Sequence, residues 1–528
     1  MPRGAESLLE VLAAHDVEVV FGLPGVHNLA IWEALQRFPG IRMIGVRHEQ
    51  TAVYAADGYA RATGKLGVAI VTTGPGAANT LGATGEAWSS GSPVLVIATD
   101  IPSTLRRPGV HRGVLHETRD QKAMFVPVTK AAFDVPSAAD LPAHTDHAVH
   151  QAVRSPHGPV YLGVPTDFLS AEVPHHAVTK SEPAHPAVDL TEATRLIAAS
   201  ARPLVWAGGG AARSGSGPAI SALADTLQAP IITTYGARGL TDSPHVVRGP
   251  VHAPPVGKLW DDADLVIGIG TDFDGMMTQN WLQPRPPALL AINIDKAEAG
   301  KNYPADVTLE GDAATITTAL TAEVAPKQSW ADVDAVNAEV RDLVSADSPE
   351  AAKMLRALAG TDATIVADMC IPGYWIGGFH HVTKPRGLAY PVGWGTLGFG
   401  FPAAIGAAVA GRTIAVVGDG GFLFACGDLA TLKQEGVPLT IVLVDDGGYG
   451  MLRYDQRVAN HTISGVDLTR PDFAKLAESF GIPATTLDGF DGLADALAGT
   501  TGPAMIVVTA HLDPPITTSP RWYRKPAT

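Results

Sequence analysis

Two aspartates set in glycine-rich turns could hold a hard cation and a phosphate. Asp419 lies in Val416-Val417-Gly418-Asp419-Gly420-Gly421, and Asp446 lies in Val444-Asp445-Asp446-Gly447-Gly448-Tyr449-Gly450. Carboxylate oxygens suit Mg²⁺ rather than zinc. The glycines let backbone amides approach an anion such as a diphosphate, and a helix starting there adds its positive end. The apolar runs 413–417 and 437–444 predict buried parallel strands, with a crossover helix over 422–435 between them. An ordinary strand-helix-strand turn with two surface aspartates meets the same pattern, so spacing alone leaves both readings open.

The frame around these residues follows from the whole chain. Its 528 residues allow three or four domains, each with its own core. A net charge of −15 argues against nucleic acid and against anionic membrane surfaces, which select basic patches. The two cysteines, Cys370 and Cys426, are too few for a disulfide framework or a structural zinc site, and a reducing cytoplasm fits them. No export signal is visible at the N-terminus, and apolar runs such as 93–98 and 265–269 are too short to cross a bilayer.

Short apolar strands at 19–21, 67–72, 94–98 and 160–164 alternate with helical stretches and predict a doubly wound sheet. A Pro-, His- and Ala-rich stretch at 171–190 reads as a linker. A second α/β unit has strands at 204–207, 231–233, 265–269 and 289–294, and a third begins with a strand at 364–367. The expectation is an α/β chain of three doubly wound parallel-sheet domains, at 1–170, 190–325 and 345–528. The tail with Arg521-Trp522-Tyr523-Arg524-Lys525 reads either as a frayed terminus or as a lid.

Further motifs turn the cradle into something specific. The first unit holds Phe21-Gly22-Leu23-Pro24-Gly25-Val26-His27-Asn28, then Arg47-His48-Glu49-Gln50, Ala56-Asp57-Gly58-Tyr59-Ala60-Arg61, and Thr72-Thr73-Gly74-Pro75-Gly76-Ala77-Ala78-Asn79. The third holds Gly395-Thr396-Leu397-Gly398-Phe399-Gly400-Phe401-Pro402-Ala403-Ala404-Ile405-Gly406 before the cradle. Together, and in this order, they resemble the thiamine diphosphate enzymes of the acetolactate synthase, benzoylformate decarboxylase and pyruvate decarboxylase superfamily, over nearly the whole chain.

The resemblance implies a pyrimidine-binding first domain, a Rossmann-like central domain and a diphosphate- and Mg²⁺-binding third domain. It implies decarboxylation of a small 2-oxo acid through an enamine or carbanion, for which the cofactor's thiazolium is the electron sink. Glu49 matches the glutamate that hydrogen-bonds the pyrimidine. Leu397 matches the apolar wedge under the bent cofactor, and the carbonyl of Gly395 would hold its amino group. Asp419, Asp446 and the carbonyl of Gly448 would bind Mg²⁺, with Gly420, Gly421, Tyr449 and Gly450 at the diphosphate. Pro24, Gly25, Pro75 and Asn79 would lie near the pyrimidine. A homodimer or homotetramer with active sites at the subunit interface is implied as well.

The choice within the family rests on departures. Where relatives have Asn-Asn this chain has Asp445-Asp446, an added carboxylate that predicts stronger Mg²⁺ dependence. The Trp and Lys of acetolactate synthases correspond to Asp455 and Thr166, and the Ser and His of benzoylformate decarboxylases to Val26 and Thr72. His27 matches a catalytic histidine of benzaldehyde lyase, and Gly113-Val114-Leu115-His116-Glu117 resembles the 2-ketoarginine decarboxylase type. Both histidines are read as catalytic proton carriers, against a helix-capping His27 and a loop His116. The central Gly208-Gly209-Gly210 and Gly268-Ile269-Gly270 turns, with Asp295, are a weak dinucleotide signal. The arginine-rich segment that binds FAD in acetolactate synthases is replaced by Gly270-Thr271-Asp272-Phe273-Asp274, which disfavours FAD. Release of an aldehyde and ligation to a second carbonyl, as in acetolactate synthases, both stay open. A catalytically silent regulatory homologue is disfavoured by Glu49. Tyr374, Trp375, His380, His381, Arg453 and Asp455 are candidates for lining the substrate pocket.

Overall fold

The computed structural model describes residues 1–107, 109–178 and 188–515. Part of the 171–190 linker and the basic tail at 521–525 lie outside the described residues. Three parallel sheets follow one another along the chain. The first, in spatial order, is Arg42–Gly45, Val19–Gly22, Gly67–Val71, Val94–Asp100, Val160–Pro165 and Ala131–Asp134. The second runs Val307–Glu310, Leu289–Asn293, Leu265–Ile269, Pro203–Ala207 and Ile231–Thr233. The third runs Leu388–Ala389, Thr364–Ala367, Thr413–Gly418, Leu439–Asp445, Ala504–Thr509 and Ala484–Asp488.

The central strands are continuous β-branched and apolar runs because helices cover both faces. Val94–Asp100 is buried at every position. The strands Thr413–Gly418 and Leu439–Asp445 lie side by side with Gly418 opposite Val444, so both aspartate turns emerge at the same end of the sheet.

The crossover between them is not the single helix expected over 422–435. It is broken into a helix at Asp419–Phe422, a 3₁₀ turn at Cys426–Asp428 and a helix at Leu429–Glu435. Asp428 explains the break. Its buried carboxylate accepts from the Arg47 amide at 2.8 Å, the Thr51 hydroxyl at 2.6 Å and the Thr431 hydroxyl at 2.8 Å. The two bonds from Arg47 and Thr51 are long-range, and they outweigh the local preference for an unbroken helix.

The first and third units share a core in which helix Glu49–Thr63 packs on helix Gly400–Ala410. A Cβ on Gly58 would lie 1.9 Å from the Ala403 carbonyl oxygen, and one on Gly406 would lie 1.8 Å from that of Ala55. Only glycine at both positions lets the two backbones come this close. Among the described residues no helix is long and apolar enough to cross a membrane.

Candidate active site

The cradle assembles from two strand ends. Asp419 opens the helix that follows Thr413–Gly418 and is 1% exposed, and its Oδ2 accepts the Gly447 amide at 3.2 Å. Burial, and then the charge of Asp446, raise its carboxyl to about 7. Asp446 is raised too, chiefly by burial. Its Oδ1 is buried without a hydrogen-bond partner and stands 3.9 Å from Arg453 Nη1. A buried carboxylate oxygen left unpaired beside a second carboxylate calls for a cation. The donor set is all oxygen, so the residues fit Mg²⁺.

The glycines here mark closeness. A Cβ on Gly450 would meet Asp446 Oδ2 at 2.0 Å, and one on Gly420 would meet the Tyr449 ring at 2.8 Å. Asp445 does not add free charge, because Arg470 forms an ion pair with it. Arg470 carries no local signal in the sequence, since the pairing spans 25 residues.

The Leu397 turn is held by a residue that sequence reasoning missed. Asp368, fully buried at the end of strand Thr364–Ala367, accepts from the amides of Met369 at 2.8 Å, Gly398 at 3.0 Å and Phe399 at 3.1 Å. Burial pushes its carboxyl up to about 6 against the pull of those amides. An aspartate ending a strand has no local mark that separates it from a solvated one. Gly395 and Gly398 take φ of +78° and +87°, which turns the chain so that the Leu397 methyl lies 3.1 Å from where a Gly421 Cβ would be. Leu397 therefore abuts the Asp419 turn.

On the first unit, Glu49 opens its helix and Oε2 accepts from the Asn79 side chain at 2.9 Å. Asn79 follows the short helix begun by Pro75, whose ring is exposed, as is that of Pro24. Gly25 donates to Asn28 at 2.8 Å, and Asn28 closes the turn by donating to the Leu23 carbonyl. A Cβ on Gly25 or Gly76 would run into Thr72, whose buried hydroxyl has no partner.

The two histidines, 89 residues apart, meet. Their Nδ1 atoms are 3.3 Å from each other and the rings are edge-on at 5.3 Å. His116 has φ +67°, and a Cβ on Gly74 would lie 2.5 Å from its carbonyl oxygen. Burial and then the neighbouring His116 lower the pKa of His27, which favours its neutral form. Thr166 donates to the His27 carbonyl at 2.6 Å and so holds His27.

Other candidate residues make packing and capping contacts. Trp375 is buried and donates to the Asp513 carbonyl at 3.0 Å, and His380 is buried with its Nδ1 lacking a hydrogen-bond partner. The central glycines pack on one another: a Cβ on Gly208 would lie 2.4 Å from the Gly270 oxygen. Asp295 caps helix Lys296–Gly300 through the Ala297 amide at 2.8 Å.

Three family models match the chain. The thiamine pyrophosphate enzyme N-terminal TPP binding domain covers residues 2–124, the central domain 190–320 and the C-terminal TPP binding domain 370–508. The chain is 35% identical over 505 residues to a probable 2-ketoarginine decarboxylase of Pseudomonas aeruginosa, covering 90% of this chain and 88% of that protein. It is 30% identical over 537 residues to a probable acetolactate synthase large subunit of Methanocaldococcus jannaschii, covering 94% and 89%. It is 32% identical over 521 residues to an acetolactate synthase of Mycobacterium bovis, covering 90% and 82%.

Proposed function

The chain belongs to the thiamine pyrophosphate enzymes, and from that premise we propose that it decarboxylates a small 2-oxo acid without oxidation and releases the product as an aldehyde. The observation that carries this reading is the Nδ1 contact of His27 and His116 at 3.3 Å, with Thr166 holding His27 where acetolactate synthases have a lysine. Two imidazoles in contact can pass a proton from one ring nitrogen to the other, an arrangement suited to delivering a proton to a carbanion. The similarity to a protein named as a 2-ketoarginine decarboxylase agrees with it. The second reading, ligation to another carbonyl, is favoured by the relatives named as acetolactate synthases.

Thiamine diphosphate, when bound, supplies the sink for the electron pair left as CO₂ departs. The rest falls to this chain's own residues. Asp419, Asp446 and the Gly448 carbonyl would hold Mg²⁺, and Gly420, Gly421, Tyr449 and Gly450 would lie against the diphosphate. Leu397 would wedge the cofactor, the Gly395 carbonyl would accept its amino group, and Pro24, Gly25, Pro75 and Asn79 would flank the pyrimidine. Glu49, steadied by Asn79, would hold a proton at the pyrimidine. FAD has no part in this reading.

We assign the three domains to 1–170, 190–325 and 345–528, and the working form to a homodimer or homotetramer. Large apolar side chains stand exposed beside the site residues, Val26 at 64% and Leu115 at 68%, as a subunit interface requires. The unpaired Cys370 and Cys426 suit the cytoplasm.

The test is incubation with cofactor, Mg²⁺ and a panel of 2-oxo acids, with CO₂ release and product structure measured together. Aldehyde supports the first reading, and a hydroxyketone or 2-hydroxy-2-oxo-acid product supports the second. Glu49→Gln should lower turnover by about 100-fold or more while cofactor binding persists; undiminished turnover in that variant would overturn the assignment of Glu49.

A further inference from the structure

We propose that the first unit carries a second metal site, for a transition-metal cation of the Zn²⁺ class, formed by His15, Asp146 and His150. His15 follows helix Gly4–Ala14, and Asp146 and His150 stand one turn apart on helix Leu141–Val153. The two helices pack through Leu8, Leu12, Leu141 and Val149. That packing brings His15 Nε2 to 2.6 Å and His150 Nδ1 to 3.1 Å from the same carboxylate oxygen, Asp146 Oδ1. The imidazole rings are 5.0 Å apart and edge-on, and one donor atom from each of the three residues lies within 4.8 Å of the others.

A second hydrogen bond sets the carboxylate. His176 Nε2 lies 2.7 Å from Asp146 Oδ2, which leaves Oδ1 turned toward His15 and His150. Support of this kind is what orients a ligating group in metal sites. Side-chain exposure is 8% for His15 and 14% for Asp146, so the ligands are held by packing.

Two imidazoles and one carboxylate suit zinc and its neighbours, unlike the all-oxygen set at Asp419 and Asp446. Zinc bonds of about 2.0–2.2 Å place neighbouring donors roughly 3.3 Å apart in tetrahedral geometry. The observed spacings of 2.6 and 3.1 Å need less than an ångström of opening. On binding, each imidazole turns an unprotonated nitrogen to the ion and keeps its N–H on the other ring nitrogen, His150 Nδ1 gives up its 2.9 Å hydrogen bond to the Asp146 backbone carbonyl, and water completes the coordination. His176 belongs to the segment leading out of the first unit, so the ion would clip that segment, through Asp146, to both helices.

The experiment uses tag-free full-length protein saturated with thiamine diphosphate and Mg²⁺, so that the other metal site is filled. Zn²⁺ binding is followed by calorimetry and by metal analysis after gel filtration, and Co²⁺ serves as the visible-absorption probe. The expected result is one Zn²⁺ per chain and a four-coordinate Co²⁺ spectrum. His150→Gln and His15→Gln each remove that equivalent, and His176→Gln weakens it about 10- to 100-fold. Circular dichroism and retained cofactor check that each variant is folded. Should His15→Gln fail that check, His150→Gln decides alone, because its side chain is 33% exposed and its loss is easily accommodated. Absence of tight Zn²⁺ binding in the wild type, or an unchanged stoichiometry in folded His150→Gln, overturns the site.

Discussion

Asp446 brings a second carboxylate beside Asp419, and its surroundings sharpen what that should do. With Asp445 paired to Arg470, the charge added to the cradle is that of Asp446, whose Oδ1 has no partner. Asp446→Asn should weaken Mg²⁺ about tenfold while leaving cofactor binding intact at saturating Mg²⁺. A Mg²⁺ titration of cofactor binding checks this, and loss of the cofactor at saturating metal would refute it. The same residues show what a sequence can carry. Glu49, Leu397, Asp419 and Asp446 could be named as candidates because each sits in a local motif. The pairing of His27 with His116 and the grip of Asp368 on the Leu397 turn are not, because they depend on groups brought together by the fold.

At the scale of elements, buried runs were readable and edges were not. Strands Ile231–Thr233, Leu265–Ile269 and Thr364–Ala367 fall at the expected residues because a continuous apolar run has few other places to go. Edge strands Arg42–Gly45, Ala131–Asp134 and Val307–Glu310 are only partly buried, and their mixed residues give no such signal. The crossover after Asp419 was misread because Asp428 answers to Arg47 and Thr51 rather than to its own neighbours. Helix pairing makes its own prediction. Gly58→Ala drives a methyl into the Ala403 backbone and should cost about 3 kcal/mol or more, read as a shift in denaturant midpoint. Gly40→Ala, with open space around it, is the control that should change little.

The molecule as a whole carries buried histidines that tie its stability to pH. Burial lowers His380 to about 4 and His252 to about 3, and each has an Nδ1 without a partner. Below the ordinary histidine value near 6.5 the unfolded chain takes up protons that the folded chain refuses. Stability is therefore full above about pH 6.5 and falls as pH drops toward about 4, by at most roughly 1.4 kcal/mol per pH unit for each histidine. Thermal midpoints between pH 7.5 and 4.5 should show the fall, and His380→Gln should flatten it; a midpoint rising toward acid would contradict the account. Another consequence comes from Asp428, which lies just beyond the cradle and grips Arg47 and Thr51, the residues on either side of Glu49. That carboxylate joins the two units. Whatever ordering the cradle gains on loading should be transmitted to the turn that bears the glutamate, and by reciprocity the reverse. Amide exchange at Arg47 and Thr51 should slow when cofactor and Mg²⁺ are added, and Asp428→Ala should sever that communication.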